Sequence, residues 1–205
     1  MRGVVIVDYR MGNLASLINS FEAIGAKPRV IRTPEELKDA NRVILPGVGA
    51  FRDAIDHLRE TGMDEAIRAY AQTGRPLMGI CLGMQLLFKR SYEFGEHEGL
   101  GLIPGDVVRF DAARLDAGLK VPQMGWNRLH VMKDTPLFAG LPKDFYLYFV
   151  HSYHARCNER FVIGETLYGY TYPSAVAREN IYGVQPHPEK SHNNGLQILK
   201  NFMEL

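Results

Sequence analysis

A chain of 205 residues with 46% hydrophobic and 23% charged residues has the composition of a globular protein large enough for an α/β domain with a proper core. Its formal net charge of +1 gives no overall attraction to nucleic acid or to an anionic membrane, so we expect neither as a partner. Two cysteines are too few for a disulfide framework and show no metal-ligand spacing, which predicts a reducing, cytoplasmic compartment.

The first half of the chain alternates apolar runs of strand length with amphipathic runs of helix length. The pattern predicts strands over residues 4–8, 29–31, 42–45 and 76–80, and helices over residues 13–24, 51–60 and 63–72. Asn13 suits the N-cap of the first helix, Gly25 suits its end, and Thr33 starts a further helical turn. The first apolar run is too short for a signal sequence or a membrane span.

The second half is richer in short strands. We expect a last helix over residues 195–203, preceded by strands over residues 107–110, 128–131, 145–150, 175–178 and 182–185. Residues 111–120 are polar and predict a surface loop. Because the sequence contains no repeat and no linker, we expect a single domain spanning residues 1–205. The alternation predicts an α/β fold, an open, mostly parallel, twisted sheet with helices on both faces plus additional short antiparallel strands.

Cys81 stands between an apolar strand and a predicted helix, in the run Gly79-Ile-Cys-Leu-Gly83. Glycines two residues to either side allow the sharp strand-to-helix turn that carries catalytic nucleophiles. On this interpretation the thiol is presented and not buried, the helix amides favour its thiolate, and the Leu82 N–H can bind an oxyanion. The alternative is a structural cysteine in a core strand, and the elbow alone does not decide between the two.

A histidine and a carboxylate occur near the end of the chain, in the run Gln185-Pro-His-Pro-Glu189. The two prolines keep His187 extended, and residues i and i+2 of an extended segment share a face. Glu189 can therefore orient the His187 ring and stabilise its cation. Together with the elbow, these residues predict a triad of nucleophile, base and orienting group formed by Cys81, His187 and Glu189.

A loop with two glycines, Pro46-Gly-Val-Gly-Ala50, follows the third predicted strand. It lacks the spacing of a dinucleotide- or phosphate-binding motif, and a simple connecting turn is the more common role of such a loop. Loops at the carboxyl ends of neighbouring strands converge on one crevice, so we expect this loop beside Cys81. There an amide of Val48 or Gly49 would turn inward as a second oxyanion donor.

These motifs resemble those of a known family. The elbow over residues 79–85 and the segment over residues 186–189 are similar to those of the class I, or triad, glutamine amidotransferases. Four segments narrow the resemblance to the glutaminase subunits of imidazole glycerol phosphate synthase: residues 46–51, 122–127, 149–153 and 188–191. The similarity runs from Val4 to the last helix.

The resemblance implies hydrolysis of glutamine to glutamate and ammonia. Cys81 would attack the side-chain amide, His187 would carry the proton to the leaving ammonia, and Glu189 would orient His187. The implied oxyanion donors are amides of Leu82, Val48 and Gly49. The implied glutamine-binding residues are Gly49, Gln85, Glu93, His151, Ser152 and Tyr153. Glu93 suits the substrate ammonium, although from the residue alone a solvated surface carboxylate is the more common role.

The resemblance also implies a partner, a (β/α)8-barrel cyclase subunit that forms a heterodimer with the chain and receives ammonia through its barrel. There the ribulosyl nucleotide PRFAR would be converted to imidazole glycerol phosphate and AICAR, in histidine biosynthesis. The candidate interface residues are Asn13, Met124, Trp126 and Lys190. Trp126 is the single tryptophan, which suits an interface anchor, but a core position suits it equally. No cofactor and no metal are implied.

Three other interpretations stay open. The first is a glutaminase subunit of another synthase, such as anthranilate or aminodeoxychorismate synthase, and residues 46–51 and 122–127 argue against it. The second is a cysteine peptidase or esterase on a related fold. The third is a regulatory module without catalysis, which the intact triad argues against. His151 and His154 lack an apparent third metal ligand, and for Cys157 we expect a structural role.

Overall fold

The computed structural model describes residues 3–205 of the chain. The strands within these residues are β1 Val5–Val7, β2 Arg29–Ile31, β3 Val43–Leu45, β4 Leu77–Ile80, β5 Phe88–Ser91, β6 His97–Glu98, β7 Ile103–Arg109, β8 Gln123–Val131, β9 Asp144–His151, β10 Tyr153–Cys157, β11 Val162–Tyr168, β12 Tyr170–Arg178 and β13 Ile181–Val184. The α-helices are α1 Leu14–Ala23, α2 Phe51–Glu60, α3 Met63–Ala71, α4 Leu82–Leu86 and α5 His192–Glu204. Short 3-10 turns connect several of them, at Pro34–Leu37, Ala112–Arg114, Pro136–Phe138, Glu159–Phe161 and Pro188–Lys190.

Nine strands form one sheet in the order β2-β1-β3-β4-β13-β12-β11-β8-β9. The five strands from β2 to β13 are parallel to their neighbours, and the pairs from β13 to β9 are antiparallel. The carboxyl ends of β3 and β4 therefore lie side by side, which places the segments that follow Leu45 and Ile80 next to each other. A second sheet contains four strands in the order β10-β7-β5-β6.

The parallel strands are apolar throughout because both faces of the sheet are covered. Along β1, Val5 and Val7 pack into one apolar core and Ile6 packs into the other. The first core contains residues of α2, α3 and the four-stranded sheet, and the second contains residues of α1 and α5. Helices thus lie on both faces of the sheet, as the sequence predicts.

The predicted fold class is confirmed, and the antiparallel part is larger than expected. Strands β5, β6, β10 and β11 are absent from the predicted elements, and β8 starts five residues before its predicted start at Arg128. The first half of β8 lacks the usual alternation of buried apolar and exposed polar residues, since the polar Gln123 is 2% exposed while the apolar Met124 is 65% exposed. Hydrophobic alternation cannot reveal a strand that faces the core with a polar side chain.

Several local expectations are confirmed. The Asn13 side chain accepts a hydrogen bond from the Ser16 N–H at the start of α1, and Gly25 ends this helix with φ +80°. Residues 111–120 form a surface loop. The last helix begins at His192, three residues earlier than predicted. No helix among residues 3–205 combines the length and the apolar character needed to cross a bilayer.

Candidate active site

The turn between β4 and α4 forces Cys81 into an unusual backbone conformation, with φ 54° and ψ −111°. A non-glycine residue rarely adopts positive φ, and such strain is concentrated at functional sites. Side chains cannot be added on either side: a Cβ on Gly83 would overlap the Leu45 carbonyl, and a Cβ on Gly79 would overlap the backbone of Gly83. The Cys81 N–H donates to the Val184 carbonyl oxygen at 2.8 Å, which fixes the elbow to β13. The predicted elbow is present.

The Cys81 thiol is more buried than expected. Only 6% of the residue is exposed, and it lies in the wall of a cavity of about 280 Å³. Val48 and Val150, which come from segments distant in the sequence, line the same cavity. The expectation that the thiol is not buried is therefore wrong for this structure, because the elbow places Cys81 in the wall of the cavity.

His187 and Glu189 form a buried pair. The His187 Nδ1 lies 2.7 Å from a Glu189 carboxylate oxygen, and their side chains are 2% and 6% exposed. His187 has the expected extended backbone, but Glu189 lies in a 3-10 turn and not in an extended segment. The other ring nitrogen, Nε2, is buried and has no hydrogen-bond partner of good geometry among residues 3–205. Cys81 is close enough to act on the charge of this ring.

The charge of His187 depends on its two neighbours. Burial lowers the pKa of His187, but the negative charges of Cys81 and Glu189, together with the hydrogen bond to Glu189, raise it to about 10. His187 is therefore a cation at neutral pH. Because the folded-state pKa lies above the value of about 6.5 for an unfolded histidine, this stabilisation is complete below about pH 6.5 and is lost as the pH rises through about 10.

The Pro46 to Gly49 loop lies beside Cys81, as expected, and residues of the loop after β1 hold it. The Tyr9 hydroxyl donates to the Pro46 carbonyl oxygen at 2.6 Å, and the Val48 N–H donates to the Met11 carbonyl oxygen at 2.9 Å. The predicted oxyanion donor at Val48 is therefore already paired in this conformation. Gly49 has φ +100°, a conformation that glycine adopts without strain.

Leu82 is the first residue of α4, so its N–H has no acceptor within the helix. It lines the cavity beside Cys81.

The cavity brings together all six predicted glutamine-binding residues: Gly49, Gln85, Glu93, His151, Ser152 and Tyr153. Two lining residues are missing from the prediction, Pro122 and Val150. Each is adjacent to or inside a segment that carries the family resemblance, and this position is the only signal that could have indicated them. A larger cavity of about 750 Å³ is lined by residues 131–143 alone and contains neither a cysteine nor a histidine.

Glu93 is not an ordinary solvated carboxylate. One of its oxygens accepts a hydrogen bond from the Phe51 N–H, the first amide of α2, at 2.6 Å. Burial raises the pKa of Glu93, against the opposing effects of this hydrogen bond and of His97. A cation entering the cavity would therefore stabilise the charged carboxylate.

Both ring nitrogens of His151 have hydrogen-bond partners within the protein, which indicates a structural role. Its Nδ1 lies 2.7 Å from the Tyr153 carbonyl oxygen, and its Nε2 lies 3.1 Å from the Tyr172 hydroxyl. Burial lowers the pKa of His151 to about 3, so the ring is neutral. His154 is similarly occupied, by the Ala155 carbonyl and the Tyr170 hydroxyl. Residues 3–205 contain no group of three His, Cys, Asp or Glu side chains that could hold a metal ion.

The four candidate interface residues are exposed. Met124 is 65% and Trp126 is 47% exposed, which excludes the core position for the tryptophan, and Asn13 and Lys190 are exposed as well. The Trp126 ring stacks on His192 at 5.0 Å and meets Tyr148 edge-on at 6.2 Å. The Lys190 ammonium lies 5.8 Å from the Tyr148 ring centre. Trp126, Tyr148, Lys190 and His192 thus form an exposed aromatic cluster next to Glu189, in which Tyr148 is half-buried and the other three residues are exposed.

We predict that Cys81→Ala lowers the pKa of His187, by about one pH unit or more, because the substitution removes the negative neighbour while burial and Glu189 remain. The measurement is an NMR titration of the His187 ring. Cys157→Ala is the matched control, since Cys157 contributes nothing to the His187 shift. An unchanged His187 titration in Cys81→Ala would contradict the coupling of the two groups.

Solved structures with the same fold include glutamine amidotransferases. One described as a glutamine amidotransferase superposes with a TM-score of 0.76 at 23% identity, covering 98% of each chain. The PurLQS structure from Thermotoga maritima gives a TM-score of 0.78 at 20% identity, covering 100% of this chain and 99% of the other. At these identities the similarity establishes the fold.

The sequence relatives are more specific. The class I glutamine amidotransferase family model matches residues 5–205. Imidazole glycerol phosphate synthase subunit HisH of Sulfurimonas denitrificans is 60% identical over 200 residues, which are 97% of this chain and 96% of the relative. The protein of the same name from Wolinella succinogenes is 55% identical over 203 residues, which are 98% and 99% of the two chains. The chain therefore belongs to the class I glutamine amidotransferase family and, within it, to the HisH subunits of imidazole glycerol phosphate synthase.

Proposed function

We propose that the whole chain acts as one glutamine amidotransferase domain that hydrolyses glutamine through Cys81, His187 and Glu189. The ammonia passes to a (β/α)8-barrel cyclase subunit, which makes imidazole glycerol phosphate and AICAR from PRFAR in histidine biosynthesis. The observation that carries the proposal is the strained Cys81 elbow in the wall of a cavity, beside a buried His187–Glu189 pair at 2.7 Å. Both cysteines are free, which suits the reducing cytoplasm.

The cavity chemistry follows from the charge of His187. Because Cys81 and Glu189 favour the charged form of His187, the ring takes the thiol proton of Cys81, and the sulfur attacks the side-chain carbonyl carbon of glutamine. As the C–N bond breaks, His187 gives its proton to the nitrogen and ammonia leaves. Water then attacks the glutamyl thioester, His187 takes the water proton, and glutamate leaves as the thiolate is restored. Glu189 keeps the ring oriented and stabilises its cation throughout.

The tetrahedral oxyanion needs two donors. The Leu82 N–H provides the first, since no acceptor within α4 competes for it. The second is the amide of Val48 or of Gly49, and the Val48 N–H must turn away from the Met11 carbonyl oxygen before it can donate. Loss of one such donor typically lowers the rate on the order of 10²–10³-fold.

Glutamine binding uses residues from several segments that line the cavity. Glu93 receives the substrate ammonium, because its carboxylate is half-buried and an entering cation would stabilise its charge. Gly49 and the Ser152 to Tyr153 strand end offer backbone groups to the rest of the substrate. Gln85 and His151 both bond the Tyr153 carbonyl oxygen, at 3.1 Å and 2.7 Å, and so hold this strand end in place.

The cyclase subunit docks on the exposed aromatic cluster, with Asn13 and Met124 as further contacts. Exposed tryptophan and tyrosine rings are typical interface anchors. Lys190 of the cluster follows Glu189 in the sequence, and the Tyr148 carbonyl oxygen accepts a hydrogen bond from the backbone N–H of His187 at 2.9 Å. A cyclase subunit docked there would close the site and receive the ammonia. The names of the relatives favour this synthase over the anthranilate and aminodeoxychorismate enzymes.

We predict that the purified chain releases glutamate from glutamine slowly alone and much faster with the cyclase subunit and its nucleotide ligand. Cys81→Ala should abolish this activity, with a loss of at least about 10⁴-fold, since the nucleophile is gone. Cys157→Ala is the control and should keep full activity. Full activity without the partner would contradict the partner dependence, and activity of Cys81→Ala would contradict the chemistry. Hydrolysis of peptides or esters instead of glutamine would favour the cysteine hydrolase alternative.

A second prediction concerns the interface. Trp126→Ala should weaken binding of the cyclase subunit by roughly 30-fold, which corresponds to about 2 kcal/mol for a buried aromatic anchor. Met132→Ala is a matched control, because Met132 is also 47% exposed but lies outside the aromatic cluster. Calorimetric titration gives both dissociation constants. Equal affinities for the two variants would contradict the placement of the partner.

A further inference from the structure

We propose that Gln185 is a positioning residue for the reaction, and that its side-chain amide donates a hydrogen bond to the Cys81 thiolate from the side of the protein interior. The inference rests on the proposed glutaminase function and deepens it by adding a donor to the nucleophile. Gln185 belongs to the His187 segment, yet neither the triad nor the cavity lining uses it. Its side chain is completely buried.

The contact is direct. The Gln185 Nε2 lies 3.7 Å from the Cys81 Sγ, within the range of a hydrogen bond to sulfur. The backbone of Gln185 is fixed, since its N–H donates to the Ser174 carbonyl oxygen at 2.8 Å. Cys81 lines the cavity and Gln185 does not, so the amide approaches the sulfur from behind.

A neighbouring chain of hydrogen bonds fixes the direction of the Gln185 amide. The Tyr153 carbonyl oxygen can only accept, so Gln85 must present its Nε2 to it, at 3.1 Å. The same Nε2 lies 3.1 Å from Gln185, which must therefore present its oxygen to Gln85. The Gln185 NH₂ is left to face the sulfur. Reversing either amide would oppose two oxygens or two NH₂ groups in a buried site.

This arrangement favours the charged nucleophile. A thiolate that is only 6% exposed loses most of its hydration, and it needs donors from the protein. The Gln185 N–H is a donor that cannot lose its proton, whereas His187 must give its proton to ammonia during the reaction. Besides His187, Tyr9 is a titratable residue that interacts with Cys81. Burial, followed by the charge of Cys81, raises the pKa of Tyr9, so its phenol stays neutral. Gln185 is thus the donor that stays with the sulfur when His187 has given up its proton.

The test uses Gln185→Met, which keeps the volume and removes the donor. We expect the pH midpoint for alkylation of Cys81 by iodoacetamide to move upward by about one pH unit. In the complex with the cyclase subunit, kcat for glutamine should fall about 10-fold while KM stays within about two-fold, because only the nucleophile is displaced. Gln197→Met is the matched control, since Gln197 donates to Asn201 in α5 and does not line the site. An alkylation profile of Gln185→Met equal to that of the control would overturn the proposal.

A second measurement uses the unaltered chain and so does not depend on folding of the variant. The side-chain amide resonances of Gln185 should shift when Cys81 is alkylated, whereas those of Gln197 should not. Unchanged Gln185 resonances would overturn the proposal. Failure of glutamine hydrolysis in the parent chain would instead contradict the proposed function, and the alkylation and NMR results would still report on the Gln185 contact.

Discussion

The close approach of Gly83 to the carbonyl oxygen of Leu45 determines the geometry of the whole site. No side chain fits at Gly83, so the start of α4 packs directly against the end of β3. This contact forces the turn at Cys81 and gives the cysteine its positive φ. It also places the loop that begins at Pro46, immediately after β3, beside Cys81. The proposed nucleophile and the proposed oxyanion loop are therefore positioned by the same backbone contact.

Two buried histidines of the site have opposite pKa shifts because their neighbours differ. Burial, followed by the charges of His154 and His187, lowers the pKa of His151 to about 3. His187 is equally buried, but Cys81 and Glu189 raise its pKa to about 10. One ring therefore stays neutral and supports the strand end at Tyr153, while the other is a cation that can deliver a proton. The environments of these residues thus distinguish a structural role for His151 from the catalytic role that we propose for His187.

The sequence predicts which residues form much of this site, but it does not predict how deeply Cys81 is buried. The local sequence pattern predicts the elbow, since the two glycines around Cys81 can be recognised without knowledge of any distant contact. The meeting of Gly49, Glu93 and Tyr153 in one cavity comes from the family resemblance, and the structure brings these residues together. The burial of Cys81 could not be predicted, because its neighbours include Val150, whose carbonyl oxygen lies 4.0 Å from the sulfur and which belongs to a strand distant in the sequence.

The sequence also does not show the hydrogen-bond partners, nor a strand that buries a polar side chain and exposes an apolar one. The bond from the Val48 N–H to the Met11 carbonyl involves backbone groups, which leave no trace in residue types. The first half of β8 buries Gln123 and exposes Met124, contrary to the alternation that identifies strands. Gln185 is visible in the His187 motif, but its contact with the thiol depends on the direction of a buried amide chain that only the structure defines.

We propose Cys81 as the nucleophile of a glutamine-binding site. Mass spectrometry of the chain after exposure to a glutamine-like electrophile is the most direct test of this role. We expect one adduct, located on Cys81, whose formation slows when glutamine is added as a competitor. Modification of Cys157 instead, or modification of Cys81 that glutamine does not slow, would contradict it.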